Sequence, residues 1–212
     1  MRISFLGQQN GQGKTTLAVN VAMALAYKGD KVLLIDADPQ ASALQWSNTR
    51  LSGNPVHKRV ELSVIALSQK KNIHDLASGY NYTVIDGTPQ DQDLIRAVVT
   101  ASDIIIIPLR PGSHDLISSP TLNDIIREEN EEEIFPQRVF HVLNKVKDDE
   151  SASEFVKHNI GPDNYPLLNT HIADHKNYAQ TFSNGLTVIE QGADTTAARE
   201  IYKLADEILG EL

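Results

Sequence analysis

Gln8-Gln9-Asn10-Gly11-Gln12-Gly13-Lys14-Thr15-Thr16 stands between two apolar segments of different period. Before it, Ile3, Phe5 and Leu6 read as a strand; after it, Leu17 to Tyr27 read as a helix. Strand, glycine-bearing loop and helix in that order are what a phosphate-binding P-loop requires. Glycines at 11 and 13 let the backbone turn so that its N–H groups converge on phosphate oxygens. The start of the following helix adds partial positive charge. Lys14 would reach the β- and γ-phosphates, and the Thr15 hydroxyl would ligate Mg²⁺, with Thr16 completing the loop. The plain alternative is a glycine-rich strand-to-helix turn with a chance Lys-Thr. The loop also departs from G-x-x-x-x-G-K-[ST], which wants glycine where Gln8 stands.

Outward from that loop, short apolar runs alternate with longer amphipathic ones, the pattern of βαβ units. Strands are expected near 2–7, 32–36, 61–66, 82–86, 103–108, 138–144 and 166–170. Helices are expected near 14–28, 41–49, 73–79, 90–100, 115–129, 151–159, 175–184 and 194–210. The runs at 32–36 and 103–108 are apolar on both faces, as central strands covered by helices should be. The fold class is therefore α/β: a doubly wound, mostly parallel sheet with flanking helices, read as one domain over 1–212.

Ligands of such sheets bind outside the carboxyl ends of the strands. Two expected strands end there in aspartate: Asp36-Ala37-Asp38-Pro39-Gln40 after the second, Asp86-Gly87-Thr88-Pro89 after the fourth. Either aspartate could simply cap the next helix or turn. Together with the glycine loop they read as a metal–phosphate site.

Composition sets broader bounds. The 212 residues suffice for a sizeable core, and 41% hydrophobic with 22% charged residues excludes disorder for most of the chain. There is no cysteine, hence no disulfide and no thiolate metal site. Seven histidines show no metal-ligand spacing and are expected at the surface or at caps, and Trp46 is expected in packing. No apolar run has spanning length and no leader is apparent, so a cytoplasmic protein is expected. A net charge of −9 argues against constitutive nucleic-acid binding.

Residues 3–16 resemble the deviant Walker A box of the ParA/MinD family of partitioning and positioning ATPases. Asp-Ala-Asp-Pro-Gln at 36–40 resembles that family's Walker A′, and Val-Ile-Asp-Gly-Thr-Pro at 84–89 its Walker B. The resemblance implies ATP and Mg²⁺ as cofactors, with Gln9, Asn10, Gly11, Gln12, Gly13, Lys14, Thr15 and Thr16 around the phosphates. It implies Lys14 and Asp38 as catalytic residues, Asp38 positioning the attacking water, and Thr15, Asp36 and Asp86 in the Mg²⁺ shell. Pro108-Leu109-Arg110-Pro111 with Ser113 and Asp115 resembles the family's purine-side loop. Asn144 would read the adenine edge; without the family it is equally an asparagine in a turn. Gln9 and Asn10 stand where the family has its signature lysine and first glycine, and Gly87 departs from the usual Walker B.

Loss of the signature lysine resembles the carboxysome-positioning branch. That implies an ATP-dependent homodimer in which a C-terminal lysine, Lys147 or else Lys145, reaches the partner's nucleotide; both equally read as solvated loop charges. It further implies non-specific DNA binding (Lys176, Arg199 and Lys203 being candidates), nucleoid association, and an adaptor of the McdB or ParB kind. A plasmid or chromosome partition role is the near alternative. A MinD-like membrane role would need a basic amphipathic C-terminus, whereas 204–212 is acidic. The third class is a small-substrate ATP-dependent enzyme, for which no second-substrate constellation is visible.

Overall fold

The computed structural model describes residues 1–7, 9–53, 60–67, 72–88, 91–112, 120–132, 137–161 and 164–210. Seven strands form one sheet in the order β3-β2-β4-β1-β5-β6-β7, every neighbouring pair parallel. They are β1 (Arg2–Phe5), β2 (Val32–Asp36), β3 (Ser63–Ala66), β4 (Tyr82–Asp86), β5 (Ile104–Leu109), β6 (Arg138–Val146) and β7 (Ile172–Ala173). Central strands alternate between two apolar layers. Ile3, Phe5, Val32, Leu34, Ile104 and Ile106 face one, and Leu6, Leu33, Ile35, Ile105 and Ile107 face the other. The period of two, with both faces apolar, is why these runs carry hardly any polar residue.

The first layer is covered by α1 (Lys14–Tyr27), α2 (Ser42–Ser52), α7 (Asn177–Ser183), α8 (Val188–Gln191) and α9 (Thr196–Gly210). The second is covered by α3 (Ile73–Ala77), α4 (Gln92–Ala101), α5 (Pro120–Glu132) and α6 (Asp149–Asn159). Helix α1 is buried from Leu17 to Ala26, so it runs through the core rather than over it. That fixes the loop before α1 at the centre of the sheet's carboxyl edge, because β1 lies between β4 and β5.

Two expectations at the C-terminal end change. The expected strand 166–170 shrinks to a bridge in which the His141 N–H donates to the Pro166 carbonyl and the Leu168 N–H to the His141 carbonyl. Pro166 has no N–H for a ladder. The N–H groups of Asn169 and Thr170 donate to the Glu207 carboxylate on α9, at 2.6 and 2.8 Å, instead of to β6. The chain rejoins the sheet only at Ile172. The expected helix 175–184 is α7, and a further helix, α8, follows from a capping box: the Glu190 carboxylate accepts from the Thr187 N–H and hydroxyl. Its sequence signature is Thr-x-x-Glu at 187–190. His141 also departs from expectation. It is 4% exposed on β6 against Tyr165, and burial pushes its pKa down to about 4, so it is a neutral core side chain. Of the other histidines, His74, His158, His171 and His175 lie at the surface or in surface pairs, while His57 and His114 are outside the described residues.

Candidate nucleotide site

The P-loop is shaped by backbone that only glycine adopts easily. Gly11 and Gly13 have φ of +83° and +94°, and Gly13 is the N-cap of α1. A Cβ on Gly13 would lie 2.2 Å from Asn144 Nδ2, so the position excludes a side chain twice over. The loop's carbonyls are taken by protein donors. Lys14 Nζ donates to the Gln9 carbonyl at 2.9 Å, Lys145 Nζ to Gly11 at 2.7 Å, Asn144 Nδ2 to Gln12 at 2.7 Å, and the Leu17 N–H to Gly13 at 2.9 Å. Gln12 turns its side chain inward beside Gly7, where Oε1 has no hydrogen-bond partner among the described residues. Gln8 lies outside the described residues, as do Pro89, Ser113 and Asp115.

Strand register brings the two aspartates together. Asp36 pairs with Asp86 across β2 and β4, and Asp86 with Phe5 across β4 and β1. Gly87 permits that closeness, since a Cβ there would lie 2.2 Å from Leu6 Cδ2 and 3.1 Å from the Phe5 carbonyl. Its departure from the usual Walker B residue is thus a packing requirement. Asp86 is fully buried; neither carboxylate oxygen makes a hydrogen bond of full geometry among the described residues, and the Thr15 hydroxyl is the nearby group able to donate to them. Burial pushes its pKa up to about 7; the Thr15 hydroxyl and the Lys14 ammonium pull the other way, and Asp36 and Asp38 add to the rise. Asp36 is raised too, chiefly by burial, although its carboxylate accepts from the N–H groups of Leu44 at 2.8 Å and Asp38 at 3.1 Å. It thereby caps α2, whose N-cap Ala41 sits at φ +53° without a side-chain acceptor.

These groups fit Mg²⁺. The donors are carboxylate and hydroxyl oxygens, and two of those oxygens are buried without a hydrogen bond of full geometry among the described residues. Among the described residues no cluster of three or more His, Cys, Asp or Glu forms a self-sufficient metal cage. Mg²⁺ tolerates that, because it completes its octahedron with water and substrate phosphates.

Two clefts flank the loop. One, of about 440 Å³, brings Asp38 together with Asn10 and Thr88. The other, of about 530 Å³, is lined by Gly13, Thr16, Asn144, Asp174, Tyr178 and Phe182 and has the size and position for a nucleoside. Asn144 is buried, with Nδ2 on Gln12 and Oδ1 accepting from the Lys145 N–H at 3.0 Å, so its amide serves the loop as well as lining the cleft. Lys147 is exposed and away from the P-loop contacts, lining a third cleft of about 680 Å³ with Arg110, Lys145, Asp148, Glu154 and His158. No local sequence pattern points to this cleft.

Two buried side chains farther out support the site from behind. Trp46 Nε1 donates to the Leu186 carbonyl at 3.0 Å. Arg50, 8% exposed, donates to Gly185 at 3.2 Å, Glu190 at 2.8 Å and Val60 at 3.0 Å. The pair ties α2, which begins at the aspartate loop, to the turn behind the nucleoside cleft. Trp46 is buried as expected.

The model of the CobQ/CobB/MinD/ParA nucleotide binding domain matches residues 3–188. The maintenance of carboxysome distribution protein A of Gloeobacter kilaueensis is 29% identical over 212 residues, covering 98% of this chain and 93% of that protein. Among solved structures, the cell division ATPase MinD of Pyrococcus furiosus superposes with a TM-score of 0.73 at 18% identity, over 100% of this chain and 99% of that one. An ATP complex of a Cyanothece McdA variant superposes with a TM-score of 0.71 at 17% identity, over 99% and 96%.

Proposed function

The chain belongs to the CobQ/CobB/MinD/ParA nucleotide-binding family, and from that premise we propose that it is a Mg²⁺-dependent ATPase that positions or partitions a cargo. The observation that carries the reading is the register of Asp36 beside Asp86 under a P-loop that holds Lys14 and Thr15, with neither Asp86 oxygen in a hydrogen bond of full geometry among the described residues. Phosphoryl transfer needs positioning and charge neutralisation more than covalent help. Lys14 would leave the Gln9 carbonyl to meet the β- and γ-phosphates. Thr15, Asp36 and Asp86 would hold Mg²⁺, which when bound neutralises phosphate charge. Asp38, in the open cleft beside Asn10 and Thr88, would orient the attacking water. Gly11, Gly13 and Thr16 would frame the phosphates, and Asn144 would stand beside the base.

The finer reading follows the relative that aligns end to end. ATP would close a sandwich homodimer, the dimer would bind non-specific DNA on the nucleoid, and an adaptor of the McdB or ParB kind would stimulate hydrolysis; carboxysomes are the cargo that relative's name suggests. Gln9 brings no charge to the shared interface, so the exposed Lys147 is the candidate donor in trans. Lys176, Arg199 and Lys203 are exposed, the last two one turn apart on α9, as phosphate contacts would need to be. No helix among the described residues is long and apolar enough to cross a membrane. A second reading is favoured by the charged third cleft, which has room for a small co-substrate.

Hydrolysis assayed with and without duplex DNA and candidate adaptor separates these. We expect slow Mg²⁺-dependent turnover that Lys14→Ala abolishes together with triphosphate binding. Asp38→Ala should keep ATP bound while losing turnover. Equal rates in wild type and both variants would refute the site, and stimulation by a small acceptor alone would favour the second reading.

A further inference from the structure

A loop that cradles an anion must keep its carbonyl oxygens turned away, because each is a negative dipole end competing with the phosphates. In this chain two of those carbonyls are held by consecutive residues at the end of β6. Asn144 Nδ2 reaches Gln12 and Lys145 Nζ reaches Gly11, each at 2.7 Å. The backbone is bent to make this possible. Lys145 sits at φ +56°, left-handed for a residue with a Cβ, and its N–H donates to Asn144 Oδ1, closing the pair on itself. Such conformations persist where surrounding structure over-determines them, and cluster at functional sites. Asn144 is packed tightly as well: an ideal Cβ on Gly13 would meet its Nδ2 at 2.2 Å, with Lys145 Cε at ordinary contact distance.

We propose that the end of β6 is a strap on the phosphate-binding loop, with Asn144 and Lys145 holding the Gln12 and Gly11 carbonyls from within the same chain, and that Lys145 is a positioning residue for nucleotide in its own subunit. The proposal rests on the nucleotide-site reading. It assigns Lys145 a task in cis that a solvated loop lysine or a donor to the partner's nucleotide does not have. The left-handed turn brings the ammonium to the Gly11 carbonyl, between the phosphate-binding loop and the third cleft that Lys145 also lines. The ammonium also places a positive charge at the phosphate cradle, which in this chain lacks one at Gln9.

The test is equilibrium binding of a fluorescent, non-hydrolysable ATP analogue with Mg²⁺, at protein concentrations where sedimentation shows the monomer. Lys145→Gly keeps the left-handed backbone and removes the ammonium. It should weaken binding roughly ten-fold, the loss of one charge-assisted hydrogen bond, with the melting temperature of the nucleotide-free protein unchanged. Lys145→Arg should recover most of the affinity, and Lys157→Ala, which removes an exposed charge on α6, should bind as wild type does. Mixing Lys145→Gly with a Lys14→Ala chain that retains Lys145 should restore nothing. Wild-type affinity in monomeric Lys145→Gly overturns the proposal, as does recovery on mixing. Should Lys145→Gly fold poorly, Lys145→Asn, also tolerant of the left-handed region, carries the same expectation. Failure of the wild type to bind the analogue would instead sink the nucleotide-site reading itself.

Discussion

Replacing Asp86 with asparagine should stabilise the nucleotide-free protein at alkaline pH, against the usual direction of core substitutions. Burial lifts the Asp86 carboxyl from 3.8 to about 7. Between those values the native state holds a proton that the unfolded chain has released, so stability falls as pH rises through this window and the cost is fully present above about pH 7. At 1.36 kcal/mol per pKa unit, the rise corresponds to about 4 kcal/mol at pH 8. Asparagine escapes that cost but buries an amide in a place short of partners, which costs about 1–3 kcal/mol. The net gain is then about 1–3 kcal/mol at pH 8, or several degrees in melting temperature for a chain of this length. At pH 4 the sign reverses, because the protonated carboxyl is no longer penalised. Urea unfolding of wild type and Asp86→Asn from pH 4 to pH 8, without nucleotide, measures the difference directly. The difference between the two proteins should grow by about 4 kcal/mol across the range. A flat difference would refute the argument that Asp86 is held as an unpaired acid. On the site reading, Mg²⁺ with ATP should then raise the stability of the wild type far more than that of the variant.

Breaking the buried ion pair by Arg50→Met should cost about 3–5 kcal/mol in chemical denaturation, with Arg50→Met combined with Glu190→Gln costing less, since no buried charge is then left alone; additivity of the two would contradict a coupled pair. Gly87→Ala should be destabilising by more than about 1 kcal/mol and should impair nucleotide binding, because the new Cβ enters the space of Leu6 and the Phe5 carbonyl; a wild-type denaturation midpoint would show that β1 and β4 can separate there. Glu207→Gln should lower stability near neutral pH only: accepting from Asn169 and Thr170 holds its carboxyl below 4.5, so that stabilisation is lost as pH falls through the native pKa. Wild type and Glu207→Gln should therefore converge in acid denaturation, and a gap that persists once the carboxyl is protonated in both states would argue against the carboxylate as the cause.

The sheet, its parallel sense and its central strands were legible because runs such as Val32–Asp36 and Ile104–Leu109 are apolar on both faces, which leaves parallel strands between helices as the fitting reading. The meeting of Asp36 with Asp86 was legible in kind, since both end strands, but their pairing depends on β4 inserting between β2 and β1, an order that no local pattern encodes. The C-terminal third resisted reading for a different reason. Whether 166–170 joins the sheet is decided by a carboxylate on α9 that takes its N–H groups, a contact across 37 residues. In the sequence Lys145 reads as a solvated loop charge, because backbone handedness at a non-glycine position leaves no compositional trace. For His141 the sequence carries no cue that a lone histidine falls on a strand covered from both sides.

The grip of Glu207 on residues 169 and 170 also bears on how the molecule behaves in a crowd. The sheet is open, and β7, its last strand on that side, is only two residues long. An open edge with idle N–H groups invites a strand from another molecule to continue the ladder, the first step toward sheet-to-sheet polymerisation. Here the donors just ahead of β7 are already committed to a carboxylate, and an incoming strand would meet its negative charge. The same contact that shortens the strand thus withholds two donors from an incoming strand, and weakening it should leave a chain that still folds but that polymerises more readily at high concentration.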